Sequence, residues 1–135
     1  MSILLVLPVD RCRSLIPKLR RPKTRIFTTD TCRGAQRLLA ENPTAELIIT
    51  GLSLDDGNWC DVVRYVVDRG HNAEIIVSSP VASQTLWSEV IWRGAYSLLL
   101  EPYDSEEVAS LVDGAFRAAR ETSFRLEPRS HAHAA

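Results

Sequence analysis

Five short apolar segments alternate with amphipathic segments along the chain, and this alternation restricts the possible folds more than any other feature. The first amphipathic segment shows the pattern, because Cys12, Leu15 and Leu19 recur with the period of a helix. Apolar strands that alternate with helices favour a parallel sheet covered by helices on both faces. The predicted strands are 3–7, 25–28, 46–50, 74–78 and Ser97–Leu100.

Helices are predicted between and after these strands, at 10–21, 31–41, 59–69, 83–93 and 105–122. Pro17 lies inside the first helix and is expected to kink or shorten it. The segment 51–58 is predicted to be a polar loop. Helical spacing predicts buried stripes in the third and fourth helices, with Val62, Val63, Val66 and Val67 in the third and Leu86, Trp87, Val90 and Ile91 in the fourth.

Length and composition indicate one ordinary globular domain. The chain has 135 residues, of which 45% are hydrophobic and 24% are charged. Its longest apolar run, residues 3–9, is too short to span a membrane. The three cysteines form no CxxC motif, so neither a zinc site nor a disulfide framework is expected, and the cytoplasm is the expected location. Residues 1–122 are the predicted domain, and 123–135 a disordered tail or the start of a linker.

Charge is distributed unevenly along the chain. Residues 1–37 contain nine basic and two acidic residues, whereas residues 38–107 contain three basic and twelve acidic residues. The basic segment is either a solvated helix face or a docking surface for an acidic partner or a phosphate backbone. Its candidate contact residues lie on and just after the first helix: Arg11, Arg13, Lys18, Arg20 and Arg21.

Local motifs add a family resemblance to this pattern. Residues 94–107 read GAYSLLLEPYDSEE, residues 47–57 read LIITGLSLDDG, residues 3–6 read ILLV and residues 35–39 read AQRLL. In this order and spacing they resemble a response-regulator receiver domain, over residues 2 to about 122. The resemblance implies a flavodoxin-like (βα)5 fold, a doubly wound parallel α/β sheet with strand order 2-1-3-4-5. It also implies a cis peptide bond before Pro102.

The phosphorylation site that the resemblance implies departs from the family at nearly every position. Receiver domains use an acid pair to bind Mg²⁺, an aspartate to accept the phosphoryl group, a hydroxyl and an aromatic residue as switches, and a lysine that neutralises charge. The corresponding residues here are, in that order, Leu7 and Pro8, Gly51, Ser79, Leu98 and Glu101. Only the Ser79 hydroxyl is retained.

These replacements remove the chemistry of phosphoryl transfer. Gly51 has no nucleophile, and Leu7 and Pro8 offer no side-chain oxygen to a magnesium ion. Glu101 would repel a phosphoryl group where a lysine would attract it. We therefore expect a pseudo-receiver that is not an enzyme and that uses no cofactor and no Mg²⁺.

Other acids could in principle rebuild a site at the same edge of the sheet. Asp55 and Asp56 follow Gly51 on one loop, and Asp10 follows the missing acid pair. The simpler interpretation is that these residues form turns and helix caps. Both alternatives stay open at the level of the sequence.

Function is therefore expected to depend on binding. We expect a two-component-type regulatory domain with a protein partner, and a second copy of the chain is one candidate. Such domains commonly interact through the fourth helix, fifth strand and fifth helix, where the candidates are Trp92, Arg93, Tyr96 and Tyr103. Alternative functions are binding of a small molecule in the vacated pocket, or of nucleic acid by the basic segment 11–25, although nucleic acid is not the expected partner.

Overall fold

A five-stranded parallel sheet forms the centre of the computed structural model, which describes the backbone of residues 1–134 and the side chains of residues 1–121. The sheet strands are β1 (Ser2–Val6), β2 (Arg25–Thr29), β3 (Leu47–Gly51), β4 (Glu74–Ser79) and β5 (Ser97–Leu100). Their order is β2-β1-β3-β4-β5 with every pairing parallel. The predicted flavodoxin-like order 2-1-3-4-5 is confirmed.

Five helices cover the two faces of this sheet. They are α1 (Val9–Leu19), α2 (Cys32–Glu41), α3 (Trp59–Asp68), α4 (Gln84–Trp92) and α5 (Ser105–Ala134). One core cluster joins α1 and α5 to the sheet, and the other joins α2, α3 and α4. None of the helices in the described part of the chain is long and apolar enough to cross a membrane. The side chains of the predicted tail, 123–135, lie outside the described residues.

The central strands are buried on both faces because their side chains alternate between the two clusters. In β1, Ile3 and Leu5 face the α1–α5 side, whereas Leu4 and Val6 face the opposite side. All five residues of β3 are buried. Burial of each such aliphatic side chain stabilises the fold by about 1.5–3 kcal/mol.

The structure corrects several expectations about side-chain exposure and loops. Of the nine residues of α4, all described, Val90 alone is buried, while Trp87 and Ile91 are 48% and 38% exposed. This helix packs against the edge strand β5, so a narrow stripe suffices to anchor it. Val67 on α3 is also exposed. The predicted loop 51–58 contains a short antiparallel hairpin between Ser53–Leu54 and Gly57–Asn58.

The first helix agrees with the sequence prediction in its buried residues and in its length. Cys12, Leu15 and Leu19 are buried, and α1 ends two residues after Pro17. A proline inside a helix removes one backbone hydrogen bond, which is consistent with this early end. The peptide bond between Glu101 and Pro102 is cis, as the resemblance implies.

Gly34 in the first turn of α2 generates a stability prediction. A Cβ at this position would overlap the Thr29 hydroxyl and lie 2.9 Å from Thr31 Oγ1. Thr31 caps α2 by accepting a hydrogen bond from the Gly34 N–H, and the Thr31 N–H donates to Thr29 Oγ1 over 3.5 Å, so both threonines have partners in this turn. In an exposed helix, replacing glycine by alanine stabilises by about 1 kcal/mol.

We expect Gly34→Ala to lower the free energy of unfolding by about 1–3 kcal/mol, because the added methyl group forces the neighbouring side chains apart. Chemical denaturation measures this change. Ser110→Ala, at an exposed position of α5, is the control and is expected to leave stability unchanged or slightly raised. A Gly34→Ala variant at least as stable as the wild type would contradict the prediction.

Candidate functional site

The carboxyl ends of the parallel strands meet at one edge of the sheet and bring the predicted site positions together. A Cβ built on Gly51 would lie 3.6 Å from Leu7 Cδ2, so the ends of β1 and β3 are in contact. The Glu101 N–H donates to the Ser79 carbonyl over 2.9 Å, which joins the ends of β4 and β5. Leu98 lies within β5 and belongs to the core cluster on the α4 side.

Gly51 is buried at the end of β3, yet its backbone does not require glycine. It does not adopt a positive φ, and an added Cβ would make ordinary contacts of 3.6–3.9 Å. The nearest side chain is that of Leu7, which is 1% exposed. The other two nearest atoms are the carbonyl oxygens of Val6 and Ser53, so Gly51 is surrounded by a leucine side chain and backbone and supplies no nucleophile of its own.

Glu101 is held by a cation and a hydroxyl at the same edge. Arg11 Nε lies 2.8 Å from Glu101 Oε1, and the Ser78 hydroxyl donates to Glu101 Oε2 over 2.6 Å. The Tyr103 hydroxyl lies 2.7 Å from Ser78 Oγ, and it is the donor because the single Ser78 proton is directed to Glu101. We call Arg11, Ser78, Glu101 and Tyr103 the Arg11–Glu101 network. The Glu101 side chain is only 12% exposed.

The network gives two predicted contact residues partners within the domain. Arg11, a candidate for the docking surface, is 39% exposed and pairs with Glu101, so the formal charge of this pair is zero. Tyr103 was expected to extend an exposed patch but bonds inward to Ser78. Burial raises the pKa of Tyr103, the Glu101 charge raises it further and the Ser78 hydrogen bond opposes them, which leaves a neutral hydroxyl. No pattern in the sequence indicated that Ser78, and not the switch position Ser79, contacts Glu101.

Ser79 uses its hydroxyl within its own loop. The residue is fully buried, and its Oγ both accepts from the Val81 N–H and donates to the Val81 carbonyl at 3.0 Å. The retained hydroxyl thus stabilises the turn after β4.

The acidic residues near this edge have structural partners or lie in solvent. Asp56 accepts from the N–H groups of Cys32 and Arg33 at 2.7 and 3.0 Å, and these bonds lower its pKa. Asp56 therefore caps α2, in agreement with the simpler interpretation. Asp10 and Asp55 are exposed. Among the described side chains, no group of three His, Cys, Asp or Glu residues could hold a metal ion.

Two of the cavities reach the strand ends. One of about 350 Å³ is lined by Leu7 and Asp30, and one of about 420 Å³ is lined by Leu98 and Leu100. Gly51, Ser79 and Glu101 line neither of them. The cavity beside Leu7 therefore adjoins the vacated position but does not include the end of β3.

The remaining contact candidates differ in how accessible they are. Trp92 is 87% exposed, as predicted. Its neighbour Arg93 pairs with Glu89 on the same helix, over 3.2 Å. The Tyr96 hydroxyl packs so closely against Gly114 of α5 that a Cβ there would overlap it.

The basic residues of the first helix also divide into two groups. Arg21 forms an ion pair with Asp113 and donates to the Ala109 carbonyl, so it ties the end of α1 to α5. Arg13 and Arg20 are exposed, and Lys18 is partly exposed.

The Arg11–Glu101 pair generates a prediction about coupling. Removing either partner leaves the other unpaired, so Arg11→Ala and Glu101→Gln should each destabilise the domain. The double variant should lose less free energy of unfolding than the two single variants lose together. In a double-mutant cycle of denaturation measurements, we expect a coupling energy of about 1 kcal/mol. Arg13→Ala combined with Glu101→Gln is the control and should be additive. Equal coupling in the two cycles would contradict a specific pair.

Comparisons with known proteins find similarity in the fold and not in a sequence family. No protein-family model matches the chain, and no curated protein matches it. Solved structures do match. The receiver domain of an HD domain-containing protein from Pseudomonas fluorescens Pf-5 is 19% identical with a TM-score of 0.81, covering 92% of each chain.

Two further receiver structures show the same similarity. The beryllofluoride-activated NtrC4 receiver domain, solved as a dimer, is 21% identical with a TM-score of 0.78 over 87% of this chain and 98% of that one. A two-component response regulator from Clostridium difficile is 19% identical with a TM-score of 0.75, over 87% and 96% of the chains. The chain therefore has the fold of response-regulator receiver domains.

Proposed function

We propose that this protein is a pseudo-receiver, a regulatory protein-interaction domain of the two-component type that acts in the cytoplasm without phosphorylation or catalysis. The observation that carries the proposal is Gly51 at the end of β3, buried against Leu7 where the family resemblance implies a phosphoacceptor. Signalling by such a domain depends on the surfaces it offers to partners.

The charges at the strand ends support the loss of phosphoryl transfer. The reaction needs a nucleophile, oxygen ligands for Mg²⁺ and a cation near the transferred group. Here the one cation of the Arg11–Glu101 network is already paired with a carboxylate at 2.8 Å. An incoming phosphoryl group would therefore meet Glu101 without a free positive charge to offset it.

Binding is proposed to use the exposed face of α4 together with β5 and α5. Trp92, Trp87 and Ile91 of α4 are 87%, 48% and 38% exposed. Tryptophan is enriched among residues that dominate binding energies, because its large surface is desolvated on contact. A second copy of the chain is the first candidate partner, since the similar NtrC4 receiver domain is described as a dimer.

A test of phosphorylation independence combines two measurements. We expect no phosphoryl adduct by intact-protein mass spectrometry after incubation with Mg²⁺ and acetyl phosphate. We also expect unchanged amide resonances of Leu7, Gly51 and Glu101 when Mg²⁺ and beryllofluoride are titrated, because the strand ends supply no nucleophile.

The NtrC4 receiver domain, treated identically, is the positive control for beryllofluoride. A saturable, Mg²⁺-dependent shift in this protein would overturn the proposal. Individual Asp10→Asn, Asp55→Asn and Asp56→Asn variants would then identify the acid that binds the ion.

A test of the α4 face uses Trp92→Ala. We expect the wild type to self-associate in sedimentation velocity experiments and the variant to do so about 30-fold more weakly, since loss of a central tryptophan costs about 2 kcal/mol or more. Val67→Ala, at a 68% exposed apolar position on α3, is the control and should behave as the wild type. A wild type that stays monomeric at all concentrations would contradict self-association.

A further inference from the structure

A groove runs between α1 and the outer edge of β2, on the side of the sheet opposite α4. Two cavities of about 350 and 420 Å³ form it, and Ile16 of α1 lines both. The first is bordered by Cys12 and Thr28, and the second by Arg20 and Ile26. The two cavities therefore adjoin at Ile16, and aliphatic side chains line part of each.

The backbone of β2 presents unpaired groups along this groove. The Arg25 N–H donates to the Met1 carbonyl over 2.8 Å, and the Thr29 carbonyl accepts from Leu7 over 2.9 Å, so these residues face β1. Because bonding groups alternate sides along a strand, Ile26 and Thr28 direct their N–H and C=O groups away from β1. In the described part of the chain, no strand pairs with that edge of β2. Such an edge is a template for another strand.

A buried polar atom lies at the same place. The Thr24 hydroxyl oxygen is buried and has no hydrogen-bond partner among the described residues, and Thr24 lines the second cavity. A buried hydroxyl without a partner is costly. A ligand in the groove that carries its own donors and acceptors could satisfy it.

The amino end of β2 is surrounded by positive charge. Arg20, Lys23 and Arg25 are exposed there, and none of them forms an ion pair with a described side chain. Arg13 and Asp30 both line the first cavity, near the carboxyl end of β2, so their formal charges offset each other at that end. The charge along the groove is thus polarised, with cations concentrated at the end near Arg20.

We propose that this edge binds an extended acidic peptide of a partner protein, which adds to β2 as an outer strand. Its backbone would pair with Ile26 and Thr28, its apolar side chains would rest on Ile16, and its acids would lie near Arg20. The inference rests on the proposed function as a protein-interaction domain, and it specifies the kind of partner that binds the basic surface near Arg20.

The probe is a short fluorescein-labelled peptide with valine at alternate positions in its middle and several consecutive glutamates at one end, so that acids on both faces of the added strand can reach the cations near Arg20. We expect saturable binding by fluorescence anisotropy at low salt, together with slower hydrogen exchange of the Ile26 and Thr28 amides. The same peptide N-methylated at alternate residues keeps its charge but cannot pair as a strand. It should bind at least about tenfold more weakly if backbone pairing contributes.

Two variants separate backbone pairing from charge. Thr28→Pro removes an outward N–H while leaving the bonds of Arg25 and Thr29 to β1 in place, and proline is tolerated at such edges. Arg20→Glu reverses a charge at the groove. Each should weaken binding about tenfold. Arg37→Glu, an exposed position on α2, is the matched control and should have little effect, and thermal melting verifies that every variant is folded.

Any of three results would overturn the inference: the peptide does not bind, the N-methylated peptide binds equally well, or Arg20→Glu and Arg37→Glu lower the affinity for the peptide equally. So would displacement of the peptide by a single-stranded oligonucleotide whose own binding is unaffected by Thr28→Pro, since that would indicate a phosphate-backbone surface. These results are distinguishable from failure of the proposed function, because the phosphorylation and Trp92 experiments do not involve β2.

Discussion

Burial of β1 and β3 on both faces is the constraint on which the rest of the structure depends. Their side chains alternate between two hydrophobic clusters, so helices must cover both sides of the sheet. Parallel strands then end at one edge, and the polar groups there must find partners because the neighbouring core excludes water. Ser78 and Glu101 do so through hydrogen bonds and an ion pair that connect β4, β5 and α1.

The residues at that edge are mutually dependent, so no single substitution converts it into a phosphorylation site. Glu101→Lys alone would place a second cation beside Arg11 and remove the acceptor of the Ser78 hydroxyl. Gly51→Asp alone would place a carboxylate against Leu7, with no free cation to stabilise it. Each change leaves a partly buried charge without a partner, which costs several kcal/mol.

The sequence predicts correctly those elements in which the spacing of apolar residues determines which side chains are buried. The strands and the buried stripe of α1 at Cys12 and Leu15 follow directly from the spacing of apolar residues. Trp87 was mispredicted because helical spacing does not reveal that α4 packs on an edge strand. The pairing of Arg11 with Glu101 joins residues far apart in the chain, so only the folded strand order brings them together. The spacing of residues within one helix or strand cannot predict a contact of this kind.

The two proposed surfaces lie at opposite edges of the sheet, with the Arg11–Glu101 network at the strand ends. The α4 face adjoins β5, and the basic groove adjoins β2. A ligand shifts a conformational equilibrium only through different affinities for its states, and on the proposed function phosphorylation supplies no such difference. On the proposed function, occupancy of each surface is therefore set by the concentration and affinity of its partner. Such a domain can bind both partners at any time, and the amount of complex is regulated by the concentrations of the partners.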